Sequence, residues 1–119
     1  MNRKLRLIYE NMKSNPDDAV FSIGDAVEII NAGSGKTIRD YDTFGITNFK
    51  KNPRGDRIFS RNDIEYLKNL RNLNDCGFKL KALKFLVDYL KSKKQNPVDF
   101  INNFSSYCTR KKYSEKQKK

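Results

Sequence analysis

Phe21-Ser22-Ile23-Gly24, Lys36-Thr37-Ile38-Arg39-Asp40-Tyr41-Asp42, Gly45-Ile46, Arg54-Gly55-Asp56-Arg57-Ile58-Phe59-Ser60 and Cys76-Gly77-Phe78-Lys79-Leu80 follow one another within residues 20–90, and their order decides the fold. Ser22 with Asp25 three residues later has the form of a capping box, Asp standing in the usual Glu or Gln place. It opens a short helix that buries Ala26, Val27, Ile29 and Ile30. Asn31-Ala32-Gly33-Ser34-Gly35 reads as a turn, its glycines free to take positive φ. A second helix is predicted over residues 35–44, stopped by Gly45 just past its end. Residues 46–59 are basic and broken by Pro53 and Gly55, the pattern of a small hairpin with an exposed tip. Ser60 then caps a longer helix with Asp63 in its first turn, Ile64, Leu67, Leu70 and Leu73 inward, and Gly77 at its end.

Outward from this block, Leu5, Ile8, Tyr9 and Met12 recur at i, i+3, i+4 and i+7, which predicts an N-terminal helix that Asn15-Pro16-Asp17-Asp18 breaks. After Gly77, residues 79–92 form a fourth helix of the block, burying Leu80, Leu83, Leu86, Val87 and Leu90. A second apolar line on it, Ala82, Phe85 and Tyr89, either covers the last helix or meets another subunit. Asn96-Pro97 is an N-cap followed by proline at the first helical position, so a further helix carries Val98, Ile101, Phe104 and Cys108 on one side. From Arg110 onward the lysine-rich tail is expected to be disordered alone. The organisation expected is a helical extension over residues 1–19, a central domain over 20–92, and a C-terminal helix with basic tail over 93–119.

A chain of 119 residues holds one domain plus tails and only a modest core. Its net charge of +11 favours a polyanionic partner, nucleic acid before anionic membrane. No apolar run approaches the ~20 residues that span a bilayer, and the first ten residues are too charged for a signal peptide. No segment joins a basic face to a broad apolar one, so no membrane partner is expected. Histidine is absent and Cys76 and Cys108 are the only cysteines, too few for a conventional zinc site. No metal and no cofactor are expected, and the two thiols read as small half-buried groups.

The ordered motifs resemble the DNA-binding half of the MerR-type regulators over residues 21–90, with residues 45–60 fitting that family's Gly-Leu-Ile, Arg, Gly-Tyr-Arg and Tyr-Ser pattern without a gap. The resemblance implies a mostly α, winged helix-turn-helix fold with a small two-stranded wing and extra N- and C-terminal helices. It also implies that the helix over residues 36–44 enters the major groove. Lys36, Thr37 and Arg39 would then face bases and phosphates, with the Tyr41 hydroxyl on a phosphate. The wing would supply Lys50, Lys51, Arg54 and Arg57, Arg57 standing at the family's wing arginine. Lys51 replaces the usual arginine, a point charge in place of a fork. Asp40 replaces the usual tyrosine and is assigned no DNA contact.

Neither a long C-terminal coiled-coil helix nor an effector domain is expected. In size and in residues 54–57 the chain looks closest to the TnrA- and GlnR-type nitrogen regulators, which implies a dimer contact through Leu5, Ile8 and Met12 and a protein partner for the C-terminal tail. Phe85 and Tyr89 are the other candidate dimer residues.

Enzymatic readings are set aside. Gly33-Ser34-Gly35-Lys36-Thr37 resembles a phosphate loop, but Ile30 stands where the first glycine belongs. Without histidine, a serine or cysteine nucleophile lacks its usual base. Two function classes stay open. One is a sequence-specific, homodimeric bacterial transcriptional regulator on a pseudo-palindromic operator, cytoplasmic and nucleoid-associated. The other is an architectural double-stranded DNA-binding protein, excisionase-like or a segregation adaptor.

Overall fold

Ser22 and Ser60 each begin a helix by the same exchange. The Asp25 N–H donates to Ser22 Oγ at 3.1 Å while the Ser22 N–H donates to the Asp25 carboxylate at 3.0 Å. The Asp63 N–H donates to Ser60 Oγ at 3.0 Å, and the Ser60 N–H to the Asp63 carboxylate at 2.9 Å. Aspartate therefore closes both capping boxes. Each serine contributes roughly 1 kcal/mol.

The computed structural model describes residues 3–10 and 15–117, with side chains from Leu5 to Cys108 within them. The order is α1 (Arg3–Glu10), β1 (Phe21–Ser22), α2 (Ile23–Ile30), α3 (Lys36–Thr43), β2 (Ile58–Phe59), α4 (Arg61–Asp75), α5 (Leu80–Ser92) and α6 (Pro97–Gln117). This is the mostly helical, winged helix-turn-helix arrangement that the motifs predict. Among the described residues no helix is long and apolar enough to cross a membrane.

Four helices end on one device. After α2, α3, α4 and α5 the chain turns through Asn31 (φ 55°), Gly45 (φ 77°), Gly77 (φ 110°) and Lys94 (φ 59°). Two reverse bonds close each end. At α3 the Gly45 N–H reaches the Asp42 carbonyl and the Ile46 N–H reaches that of Tyr41, both at 2.9 Å. At α4 Gly77 and Phe78 reach Asn74 and Leu73; at α5 Lys94 and Gln95 reach Lys91 and Leu90. This is the Schellman arrangement, which supplies partners to carbonyls the helix leaves open. In the 31–35 turn only Gly33 uses the left-handed freedom expected of both glycines, because Gly35 is in helical conformation at φ −74°.

The chain divides into two compact units, Met1–Leu67 and Lys68–Lys119, the division falling within α4. In the first, β1 pairs antiparallel with β2, Phe21 opposite Phe59. The two-stranded sheet thus joins the segment before α2 to the second arm of the wing. Phe59 is wholly buried and meets Phe49 edge-on at 4.9 Å, so its loss would cost about 3–5 kcal/mol. Ala26, Ile29, Ile30, Ile38, Ile64 and Leu67 complete much of this core, and Val27 is only half-buried.

Helix α1 is held by Tyr9. Its ring packs edge-on against Phe21 at 5.8 Å, lies under the Arg61 guanidinium at 5.1 Å, and its hydroxyl donates to Glu65. The apolar line expected on α1 is otherwise not in the core: Leu5 is half-buried, Ile8 is 52% exposed, and Met12 lies outside the described residues.

In the second unit Leu70, Leu73, Leu83, Val87, Leu90 and Ile101 are buried, while Leu80 and Leu86 are only half-buried. Phe85 and Tyr89 are 74% and 51% exposed, so the last helix does not cover them. Asn96 Oδ1 accepts from the Val98 N–H at 2.9 Å and starts α6 at Pro97, as the sequence predicts. Helix α6 then runs for 21 residues through Gln117, helical where a disordered tail is expected from Arg110 onward. No glycine or proline interrupts residues 98–117, and Lys, Arg, Gln and Glu are good helix formers.

Candidate nucleic-acid interface

The wing is built on Asn52. Its Oδ1 accepts from the N–H groups of Arg54 (3.0 Å) and Asp56 (2.9 Å), and its own N–H donates to the Asp56 carbonyl at 2.8 Å. Gly55 supplies the positive φ of 88° that this tight tip requires. Behind the tip, Lys51 and Arg57 face each other across an antiparallel bridge, and the Ile58 N–H donates to the Lys50 carbonyl at 2.9 Å. Two cations directly opposite repel. Here Arg57 is drawn off by an acid.

That acid is Asp42, in the last turn of α3. Arg57 Nε donates to Asp42 Oδ2 at 2.7 Å, with the side chains only 21% and 12% exposed, and the Thr47 hydroxyl donates to the other carboxylate oxygen. A carboxylate at a helix C-terminus opposes the helix dipole unless a cation answers it. Arg57 is that cation, so the pair pins the wing to the end of α3.

Helix α3 divides cleanly. Ile38 and Tyr41, three residues apart, are both core, Tyr41 only 1% exposed. The phosphate contact expected of Tyr41 is therefore corrected: its hydroxyl is inside, on the same face as Ile38. Lys36 and Arg39 are on the outer face, with Thr37 half-exposed between the faces. Lys36 Nζ stands 2.9 Å from Asp40, an exposed pair one turn apart. It gives Asp40 a local role and moderates the charge of Lys36. Such a pair is worth only about 0.5 kcal/mol in water.

Arg39 is exposed and folds back over the helix start. A Cβ on Gly35 would stand 3.1 Å from Arg39 Nη2, so the bare glycine leaves room for the guanidinium there. Arg39, Arg54 and Arg57 line one open groove of about 520 Å³ with Asn52, Ser22 and the apolar side of Ile23. Asp25 and Asp56 also line it, Asp56 lying 3.8 Å from the Arg54 guanidinium. Arg39, Lys50 and Lys51 have no carboxylate partner among the described residues, whereas Lys36, Arg54 and Arg57 each have one.

The surface thus gathers three of the expected cations, Arg39, Arg54 and Arg57, around the groove, and leaves Lys36, Lys50 and Lys51 outside its lining. The sequence reading missed Asp42 and Thr47 as the wing's anchor. An acid in the last turn of a helix, where the helix dipole disfavours it, was the available signal.

Residues 21–90 match the MerR HTH family regulatory proteins. Neither among curated proteins nor among solved structures does any match the chain. The family match covers more than half of the chain and runs from β1 into the last turn of α5. The chain belongs to the MerR HTH family of DNA-binding regulatory proteins.

Proposed function

We propose that the protein is a sequence-specific transcriptional regulator that binds duplex DNA as a homodimer on a pseudo-palindromic operator. The observation that carries this reading is the exposed set Arg39, Lys50 and Lys51, without carboxylate partners among the described residues, on a short helix and on the wing fastened to its end by Arg57 and Asp42. Arg39 reads base edges from α3, with Lys36 and Thr37 beside it. Lys50, Lys51 and Arg54 meet the phosphate backbone and set register without reading sequence. Arg57 positions the wing through Asp42 and offers its remaining guanidinium N–H groups to a phosphate.

Homodimerisation is supported by the bulky aromatic pair Phe85 and Tyr89, one turn apart and exposed on α5. Ile8 on α1 is a second exposed candidate. A two-fold protein reads a two-fold operator and doubles its contacts. The closeness to TnrA- and GlnR-type regulators rests on size and residues 54–57, so a nitrogen signal and a tail-bound partner protein form no part of this function.

A salt titration of duplex binding by fluorescence anisotropy tests the reading. With about five to seven phosphates neutralised per subunit, log K should fall against log salt with a slope of roughly −4 to −6. Failure to bind any duplex at low salt would remove the function.

A further inference from the structure

The polar bonds of the second unit form a ladder. Asn69 Nδ2 donates to Asn102 Oδ1 at 2.7 Å. One turn further, Asn72 Nδ2 donates to Ser105 Oγ at 2.7 Å and to the Ser105 carbonyl at 3.0 Å. Both rungs advance by three residues in the same direction, so α4 and α6 run parallel and in register there. One step further in the same direction stand Cys76, four residues past Asn72, and Cys108, three past Ser105. At about 1.5 Å of rise per residue the two sides advance about 6 and 4.5 Å, a mismatch that a side chain spans. Phe78 and Phe104 close the same end with their rings 5.4 Å apart.

Both thiols are free and half-buried. Burial, and then the neighbouring Cys76, push the Cys108 thiol above its ordinary range. The second influence is what two thiols sharing a site exert on each other. The ladder thus leads toward each other two residues that read as separate small groups in the sequence, 32 positions apart in the chain.

We propose that Cys76 and Cys108 form a two-thiol oxidation site that closes to an intramolecular disulfide by exchange with a small-molecule disulfide. One thiolate attacks a sulfur of the oxidant, making a mixed disulfide and expelling one small thiolate. The second protein thiolate attacks the protein sulfur of that bond and expels the other. The chain loses two protons and two electrons, and the oxidant leaves as two thiols. The bridge fastens α6 to the end of α4. Because the thiolate is the attacking form, the exchange accelerates as pH rises toward the thiol range.

The test exposes the native full-length chain to glutathione disulfide and follows mass, peptide map and thermal stability. The expected product is a monomeric chain about 2 Da lighter than the reduced form, with a Cys76–Cys108 peptide. Its Tm should be raised by about 5 °C or more and restored by reductant. Cys76→Ser and Cys108→Ser should each stop at a stable glutathione adduct. A wild-type chain that also stops at glutathione adducts, bridges only between chains, or closes only after unfolding overturns the assignment.

Discussion

Arg57 Nε and Asp42 Oδ2 are 2.7 Å apart, in a site where the arginine is 21% and the aspartate 12% exposed. Arg57, for which a phosphate contact is proposed, is thus also a structural tie between wing and helix. Asp42→Ala and Arg57→Ala should each cost about 1–3 kcal/mol in urea unfolding, since each strands a desolvated charge. The double substitution should cost less than the sum, with a coupling of about 1 kcal/mol or more. Additive losses would mean that the pair does not hold the wing.

Lys51 and Arg39 test the proposed division between backbone and base contacts. Lys51→Ala should weaken binding to all duplexes alike and flatten the salt slope by about one unit. Arg39→Ala should cost about 1–3 kcal/mol on the preferred site and relax preference at one or two positions. Equal losses on every sequence after Arg39→Ala would take α3 out of base recognition. Anisotropy against a panel of single-base variants measures both.

What was legible in the sequence was local. Ser22 with Asp25, Ser60 with Asp63, Gly45 and Gly77 are chemical statements about three or four neighbouring residues, and the structure makes the bonds they imply. The inner face of α4 was legible for the same reason, since Ile64, Leu67, Leu70 and Leu73 repeat with the helical turn and all are fully buried. Side chains whose role depends on a distant partner were not. Arg57 meets Asp42 across 15 positions, and the partner decides how far the cation is free. Tyr41 was misplaced although its spacing from Ile38 puts it on the inner face; the motif it belongs to outweighed the periodicity. The extra turns of α6 were hidden because a run of lysines reads as a solvated tail when its helix propensity is ignored.

Lys94 ends α5 in a conformation that glycine takes freely, at φ 59°. A non-glycine residue there costs roughly 1 kcal/mol. Lys94→Gly should therefore stabilise the chain by about 0.5–1 kcal/mol in urea, against the usual penalty for adding glycine. A loss of stability would show that the Lys94 side chain makes a contact worth more than the strain.

Tyr66 is buried with no hydrogen-bond partner for its hydroxyl among the described residues, and burial pushes its pKa from 10.0 to about 12. The folded chain holds that proton where the unfolded chain has lost it. Its contribution is thus complete below pH 10 and fades as pH rises toward 12, by about 2–3 kcal/mol at the upper end. Tyr66→Phe removes this alkaline loss and the unpaired hydroxyl together, and should gain about 1 kcal/mol at pH 7. Unfolding at pH 7 and pH 11 in both chains checks it; an equal alkaline loss in the variant would assign the effect elsewhere.

The most direct measurement is selection of bound duplexes from a random library at ~150 mM salt, where phosphate attraction alone is weakened. Enrichment of an inverted repeat whose half-sites lie one helical turn or a multiple apart is the expected result. Arg39→Ala should degrade that repeat, while Lys51→Ala leaves its sequence unchanged. Tight binding with no enriched motif would contradict the central claim, because the basic wing would then be acting without a recognition helix.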